Sequence, residues 1–323
     1  MKSATRRRLA WLGQVALTLA ATYFLFRSLK ISWTELQAVD PADWTPRAGL
    51  FLASLVVLLA AFVYSVALWS RLIDRFGGPR LGLKTAIGVF FVANLGRYVP
   101  GKLWQVISLA YLAGRQGVSP TVASSAAVLG QLFSLGAAAL VAGLALAYGA
   151  LAGLPSDLLP WAAGIAILVG LVATIPVVLR SLLRLAFRVG RETGAVPQLD
   201  PWFGARWTAL YLPTWVGQGV AFGLLWASFP GLTAVSWPVA VGTFSAAYFI
   251  GYAALFAPAG IGIREGALAV MLAPSIGATG AAVLAVVSRL WMTLGELIPI
   301  IGVIGRSLQR WLRRTFGARG HAA

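Results

Sequence analysis

Two short stretches of this sequence combine helix-breaking residues with charge, and both interrupt apolar runs. The first is Asn94-Leu95-Gly96-Arg97-Tyr98-Val99-Pro100-Gly101-Lys102, and the second is Pro258-Ala259-Gly260-Ile261-Gly262-Ile263-Arg264-Glu265-Gly266. In the first, Asn94 and Arg97 close one arm, while Lys102, Gln105 and Ser108 open the next at i, i+3 spacing and so share one face. Pro100 and Gly101 supply the turn. The half-helix that follows aims its free N–H groups and positive dipole end at the tip, so Arg97 and Lys102 beside it would make a good phosphate site. In the second, Gly260 and Gly262 permit close backbone approach to a ligand, and Arg264 and Glu265 open a short helix. These charges could instead satisfy other buried groups, with the glycines serving helix packing. Arg289, Thr293 and Glu296 fall at i, i+4 and i+7, one polar stripe. Arg289 and Glu296 lie two turns apart and are expected to pair across helices. Weaker sets are Gln131 with Ser124, and Gln218 with Thr214 and Tyr211, where cavity lining and interhelical hydrogen bonding compete.

Several chemistries are excluded. No GxxxxGK[ST] loop exists, so nucleotide hydrolysis is not expected to power the chain. There is no cysteine, and the one histidine, His321, sits three residues from the end. Neither a metal centre nor a cofactor is expected, and the only intramembrane carboxylates are Glu265 and Glu296.

The elements that must hold these residues are membrane helices. Hydrophobic residues make up 59% of the 323 positions and charged ones 11%, against about 45–50% and 25% in soluble domains. The net charge of +17 would suggest nucleic acid in a soluble protein, but the bases cluster between apolar runs, as membrane insertion produces. Leu9–Phe26 follows Arg6-Arg7-Arg8 and is longer than a signal peptide's apolar stretch, so it is expected to stay as an uncleaved first span. Further spans are expected at Ala48–Trp69, Thr121–Tyr148, Trp161–Leu179, Trp207–Phe229 and Thr279–Ile301, six in all. Thr85–Leu95 and Leu103–Ala113 are each about 16 Å long as helices, too short for a hydrocarbon core of about 30 Å. In Pro238–Leu272 the first arm could just span, but the second, from Gly266, cannot.

Basic loops decide between crossing and turning back. If both broken regions are re-entrant hairpins, Met1–Arg8, Arg71–Lys84, Gly114–Pro120, Arg180–Arg206 and the tail after Gly305 share one side with charges of +4, +3, +1, +3 and +5. The opposite loops carry 0 or −1. Single crossings would strand Arg180, Arg184, Arg188 and Arg191 outside. The expectation is an all-α polytopic membrane protein, a single integral-membrane domain over 1–323 with about six full transmembrane helices plus two re-entrant helical hairpins. Units 48–148 and 207–301 form an approximate inverted repeat, as in many secondary transporters, and 306–323 is a short basic cytoplasmic tail. Both termini are expected in the cytoplasm, with Trp33, Trp44, Trp161, Trp207 and Trp237 as interface anchors.

At its two tips the sequence resembles the transmembrane, flippase-like portion of the lysylphosphatidylglycerol synthases and their stand-alone relatives. The pairing of N-x-x-R-x-x-P-G-K with P-x-G-x-G-x-R-E-G carries the resemblance, and Arg289 sits where that family has an arginine in its last core helix. Gln131 departs from it, since relatives often carry a Glu–Arg pair on that helix. The sequence ends after its basic tail, so lysyl transfer is not expected of it. The resemblance implies a flippase in the cell inner membrane that moves an anionic phospholipid or polyprenyl-phosphate-linked headgroup between leaflets. No enzymatic activity and no nucleic-acid partner are expected, and a homo-oligomer is possible. An intramembrane lipid-modifying enzyme using Glu265 or Glu296 as base, or a structural accessory protein, are the alternatives.

Overall fold

The structure is a computed structural model and describes residues 42–98, 103–148, 157–189, 198–254, 260 and 262–316, excluding the side chains of 97, 98, 103, 189 and 304–316. The expected first span Leu9–Phe26, the anchor Trp33 and the turn residues Pro100, Gly101 and Lys102 lie outside these residues. Among the described residues there are nine α-helices, one 3-10 turn and no strand.

The first helix, α1 (Ala48–Arg75), is almost entirely apolar until Arg71. Then come α2 (Leu83–Asn94), a 3-10 turn over Leu95–Tyr98, and α3 (Leu103–Gly114), so the break expected around Arg97–Lys102 is present. The next helix, α4 (Pro120–Ala147), starts at a Ser119 cap whose hydroxyl accepts the Val122 N–H, with Pro120 in the first turn. Helices α5 (Leu159–Val172) and α6 (Pro176–Val189) meet at a bend of 50°. The expected span Trp161–Leu179 is therefore not one helix; Pro176 disfavours helical backbone in the residue before it. The remaining helices are α7 (Phe203–Ser228), α8 (Trp237–Ala253) and α9 (Ile263–Phe316).

Among the described residues three helices are long and apolar enough to cross a membrane: α1, α4, and α9 within Ile263–Val303. The bent pair α5–α6 would make a fourth. The sequence suggested six, of which Leu9–Phe26 lies outside the described residues. At 26 residues α7 is long enough but less apolar than these three.

Helix α9 is two helices joined at one residue. Gly277 has φ 76° and ψ 159°, outside helical space. Arg289 Nη1 lies 3.6 Å from Glu265 Oε1, whereas 24 residues of straight helix would separate them by about 36 Å. The chain must fold back at Gly277, midway between them. The turn between the two helical segments uses this one residue. Beyond Gly305 the backbone stays helical to Phe316, so the expected tail begins as helix.

Besides a small one around Leu146 and Ala163, the bundle has two large apolar clusters among the described residues. Trp69, Phe76, Phe133, Phe203, Trp207 and Trp215 belong to one, and Phe222, Trp226, Phe244, Leu268, Leu284 and Trp291 to the other. Phe62 and Tyr248 pack against both. The long helices α1 and α7 run antiparallel side by side: the Arg47 N–H donates to the Ser228 carbonyl at one end, and Phe76 meets Phe203 at the other. Where α4 meets α5 the backbones nearly touch, since a Cβ on Gly136 would lie 2.6 Å from the Ala173 Cβ, the small-residue packing typical of membrane helices. Trp161 and Trp237 are exposed near helix ends, as interface anchors would be, and Trp44 packs on Phe229. Trp207 is not an anchor. It is buried against Phe133 and Phe203, because its position one turn into α7 turns it toward the core.

Helix α6 is amphipathic. Leu179, Leu183 and Phe187 are buried at i, i+4 and i+8, and Arg180, Arg184 and Arg188 are exposed one residue further on. The Phe187 face joins Phe76, Phe203 and Val118 in one cluster, which places the arginines at the same end of the bundle as Arg75 and Arg115.

Candidate functional site

A polar cavity opens between the two apolar clusters, where Phe62 and Tyr248 meet both. Seven helices wall it: Ser65 comes from α1, Asn94 from α2, Gln105 from α3, Gln131 and Ser134 from α4, Thr214 and Gln218 from α7, Tyr248 from α8 and Glu296 from α9. Phe90, Phe91, Trp215 and Met292 complete the wall. The empty space amounts to about 570 Å³, open solvent at its mouth included.

The first tip reaches the cavity directly. At the break, Gly96 lies so close to α3 that a Cβ there would sit 2.8 Å from the Trp104 carbonyl oxygen. That approach lets Gln105 Nε2 donate to Asn94 Oδ1 at 2.6 Å, locking the two arms together at the cavity wall. Of the expected phosphate site, Asn94 and Gln105 are placed; Arg97 contributes only backbone to the described residues, and Pro100, Gly101 and Lys102 lie outside them.

The second tip is built differently. Gly260 has φ 68°, and a Cβ there would meet the Gly251 carbonyl oxygen at 2.7 Å, while a Cβ on Gly251 would strike the Arg264 Cβ at 2.7 Å. Two glycines thus seat the start of α9 on α8. The Arg264 guanidinium lies over the rings of Phe244 and Tyr248, 5.0 and 5.5 Å from their centroids, a cation–π arrangement. Gly262 is the residue before α9, and its N–H donates to Glu265 Oε2 at 2.7 Å. Glu265 therefore reaches back as the third-position acid of a capping box does. Its other oxygen faces Arg289.

Of the residues expected to bind a ligand, Asn94, Gln105 and Glu296 line the cavity. Gly260, Gly262, Arg264, Glu265 and Arg289 form a separate cluster, buried at Gly260, Arg264 and Glu265, that touches the cavity through Tyr248, whose ring lies 4.7 Å from that of Trp215. Arg289 pairs across helices, as expected, and its partner is Glu265. Of the weaker sets, Gln131, Thr214 and Gln218 line the cavity. The Ser124 hydroxyl instead donates to its own helix at Pro120 and Thr121, and Tyr211 is buried beside Gly130. Ser65, Ser134 and Tyr248 escaped notice in the sequence. Ser134, three residues after Gln131, carried a usable spacing signal; the other two did not. Among the described residues no group of His, Cys, Asp and Glu could hold a metal ion.

No match is found among curated proteins. The family described as "Lysylphosphatidylglycerol synthase TM region" matches residues 11–299, most of the chain and both tips. The all-helical bundle and its apolar helices agree with that match, and the chain belongs to the lysylphosphatidylglycerol synthase transmembrane-region family, a membrane protein with a lipid-related function.

Proposed function

We propose that the protein is a lipid translocator without a hydrolytic motor, moving an anionic phospholipid or a lipid-linked headgroup between leaflets. The observation that carries this is the polar cavity between two apolar clusters, walled by seven helices and reached by a helix break. Polar groups in the middle of a bundle this apolar are costly unless they serve a ligand or one another, and irregular backbone at membrane depth is tolerated where it lines a cavity. In this mechanism the headgroup enters the cavity while the acyl chains stay in the bilayer, and Arg97 and Lys102 engage its phosphate.

The two paired helices are re-entrant in this proposal. Arg289 lies 12 residues beyond Gly277, so the second tip sits about 18 Å in from that end of the bundle; α2, with 12 residues, reaches a similar depth from the other end. Arg75, Arg115 and the α6 arginines mark the cytoplasmic end of a plasma-membrane protein. An intramembrane enzyme is disfavoured for Glu265, which caps a helix and faces Arg289; Glu296, on the cavity wall, keeps that alternative testable.

Purified protein in vesicles with fluorescent lipids should exchange them between leaflets faster than protein-free vesicles. Mass spectrometry of the same lipids should show them chemically unchanged; a new lipid product would favour the enzyme. A cysteine at Ser181 should be protected from an impermeant thiol reagent in intact cells, and labelling there would reverse the assignment of sides.

A further inference from the structure

The cavity lining is specific in its hydrogen-bonding character. Gln131 and Gln218 each present one acceptor oxygen and two donor hydrogens, and Ser65, Ser134, Thr214 and Tyr248 each present a hydroxyl that both donates and accepts. Among the described residues neither glutamine side chain has a hydrogen-bond partner, and Gln218 is only 5% exposed. Buried polar groups are nearly always satisfied; among the described residues Thr214 Oγ1 is the one wall atom buried without a partner, and the two glutamines turn open hydrogen-bonding capacity toward the cavity.

Three classes of headgroup fit this wall unequally. A bare phosphate only accepts when fully ionised, which leaves the glutamine oxygens without donors. An ammonium only donates: the Glu296 carboxylate on the same wall can accept from it, but the amide hydrogens of Gln131 and Gln218 are left without acceptors. A hydroxyl does both, and several on one small frame can match amides and hydroxyls converging from α1, α4, α7 and α8. Phe90, Phe91 and Trp215 then offer apolar faces to the C–H groups of the same frame. Resting on the translocator reading, we propose that this cavity binds a polyhydroxyl headgroup, a sugar or cyclitol, through Gln131, Gln218 and Thr214.

The test uses the full chain in vesicles with acyl-labelled phosphatidylinositol, glucosyl-diacylglycerol, phosphatidic acid and phosphatidylethanolamine. Phosphatidylinositol and the glucosyl lipid should exchange at least about tenfold faster than the other two, the factor expected from one or two buried hydrogen bonds. If only phosphatidylinositol is fast, the hydroxyl frame needs its phosphate; if both are fast, hydroxyls suffice. Equal rates for all four would overturn the proposal and leave the translocator standing. If no lipid exchanges above protein-free vesicles, the translocator fails, and binding decides the proposal separately. Quenching of tryptophan fluorescence by short-chain forms of the four lipids should then still favour the hydroxylated pair, and equal affinity would overturn it. Gln218→Leu should abolish the preference, whereas Gln218→Asn should retain part of it. Should the leucine variant fail to fold, the four-lipid series on the unmodified protein still decides.

Discussion

The two helix breaks have similar outlines but different interiors. At the first, between α2 and α3, an amide–amide hydrogen bond from Gln105 to Asn94 joins the two arms on a wall facing the cavity; the side chains of Arg97 and Lys102 lie outside the described residues. At the second, between α8 and α9, the buried Arg264 and Glu265 and the half-buried Arg289 are tied together by a capping bond, an ion pair and two aromatic rings. A buried ion pair contributes little net stability, but removing one partner strands the other. The second tip is thus built as a strut that holds its shape, while the first sets a bonded amide pair on the cavity wall.

The sharpest way to break this contrast is to strand a charge at the second tip. Glu265→Leu or Arg289→Leu alone should cost about 3 kcal/mol or more of stability, read as a lower midpoint in denaturant unfolding in detergent. The double leucine variant should recover much of that loss; an additive double variant would mean that the ion pair is not the strut. A smaller effect is expected from the glycines. Gly260→Ala meets both a left-handed backbone and the Gly251 carbonyl, and should cost about 2 kcal/mol. Gly96→Ala meets only the α3 backbone, and should cost less by the same measurement. Smaller still in stability is Asn94→Leu, which removes one hydrogen bond and about 1 kcal/mol, yet lipid exchange should fall severalfold. Equal losses of stability and exchange at both tips would erase the distinction. The smallest effect is assigned to Glu296→Gln, which keeps shape and loses charge. Exchange should survive, and loss of a pH-gradient drive specifically in this variant would make Glu296 a proton carrier instead.

Much of this architecture could be read from the sequence, because polar interruptions of apolar runs are loud. The arms α2 and α3 begin and end within two residues of where Asn94 to Lys102 imply. Asn94, Gln105, Gln131, Gln218 and Glu296 stand out because an amide or carboxylate in an apolar helix needs a reason. Ser65 and Tyr248 gave no such signal, since serine bonds its own helix and tyrosine suits almost any depth; only the convergence of α1 and α8 selects them. The partner of Arg289 was also hidden, because Glu265 comes near only after the chain reverses at a single glycine among 36. Trp207 misled because tryptophan near a span end has the same composition signature whether it faces headgroups or a core.

That single glycine has a stereochemical consequence. A Cβ added to Gly277 would meet nothing within 4 Å, so the reversal is guarded by the handedness of the backbone alone and not by crowding. With φ 76° and ψ 159°, the site belongs to a region that L-residues rarely enter. A D-alanine placed there by semisynthesis suits the same left-handed backbone. It would stiffen the unfolded chain at that point, where glycine is freest, and should raise stability by a few tenths to about 1 kcal/mol. L-alanine at the same site should lower it. One position thus reports, through the sign of a mirror-image substitution, whether the final two helical segments are folded back on each other.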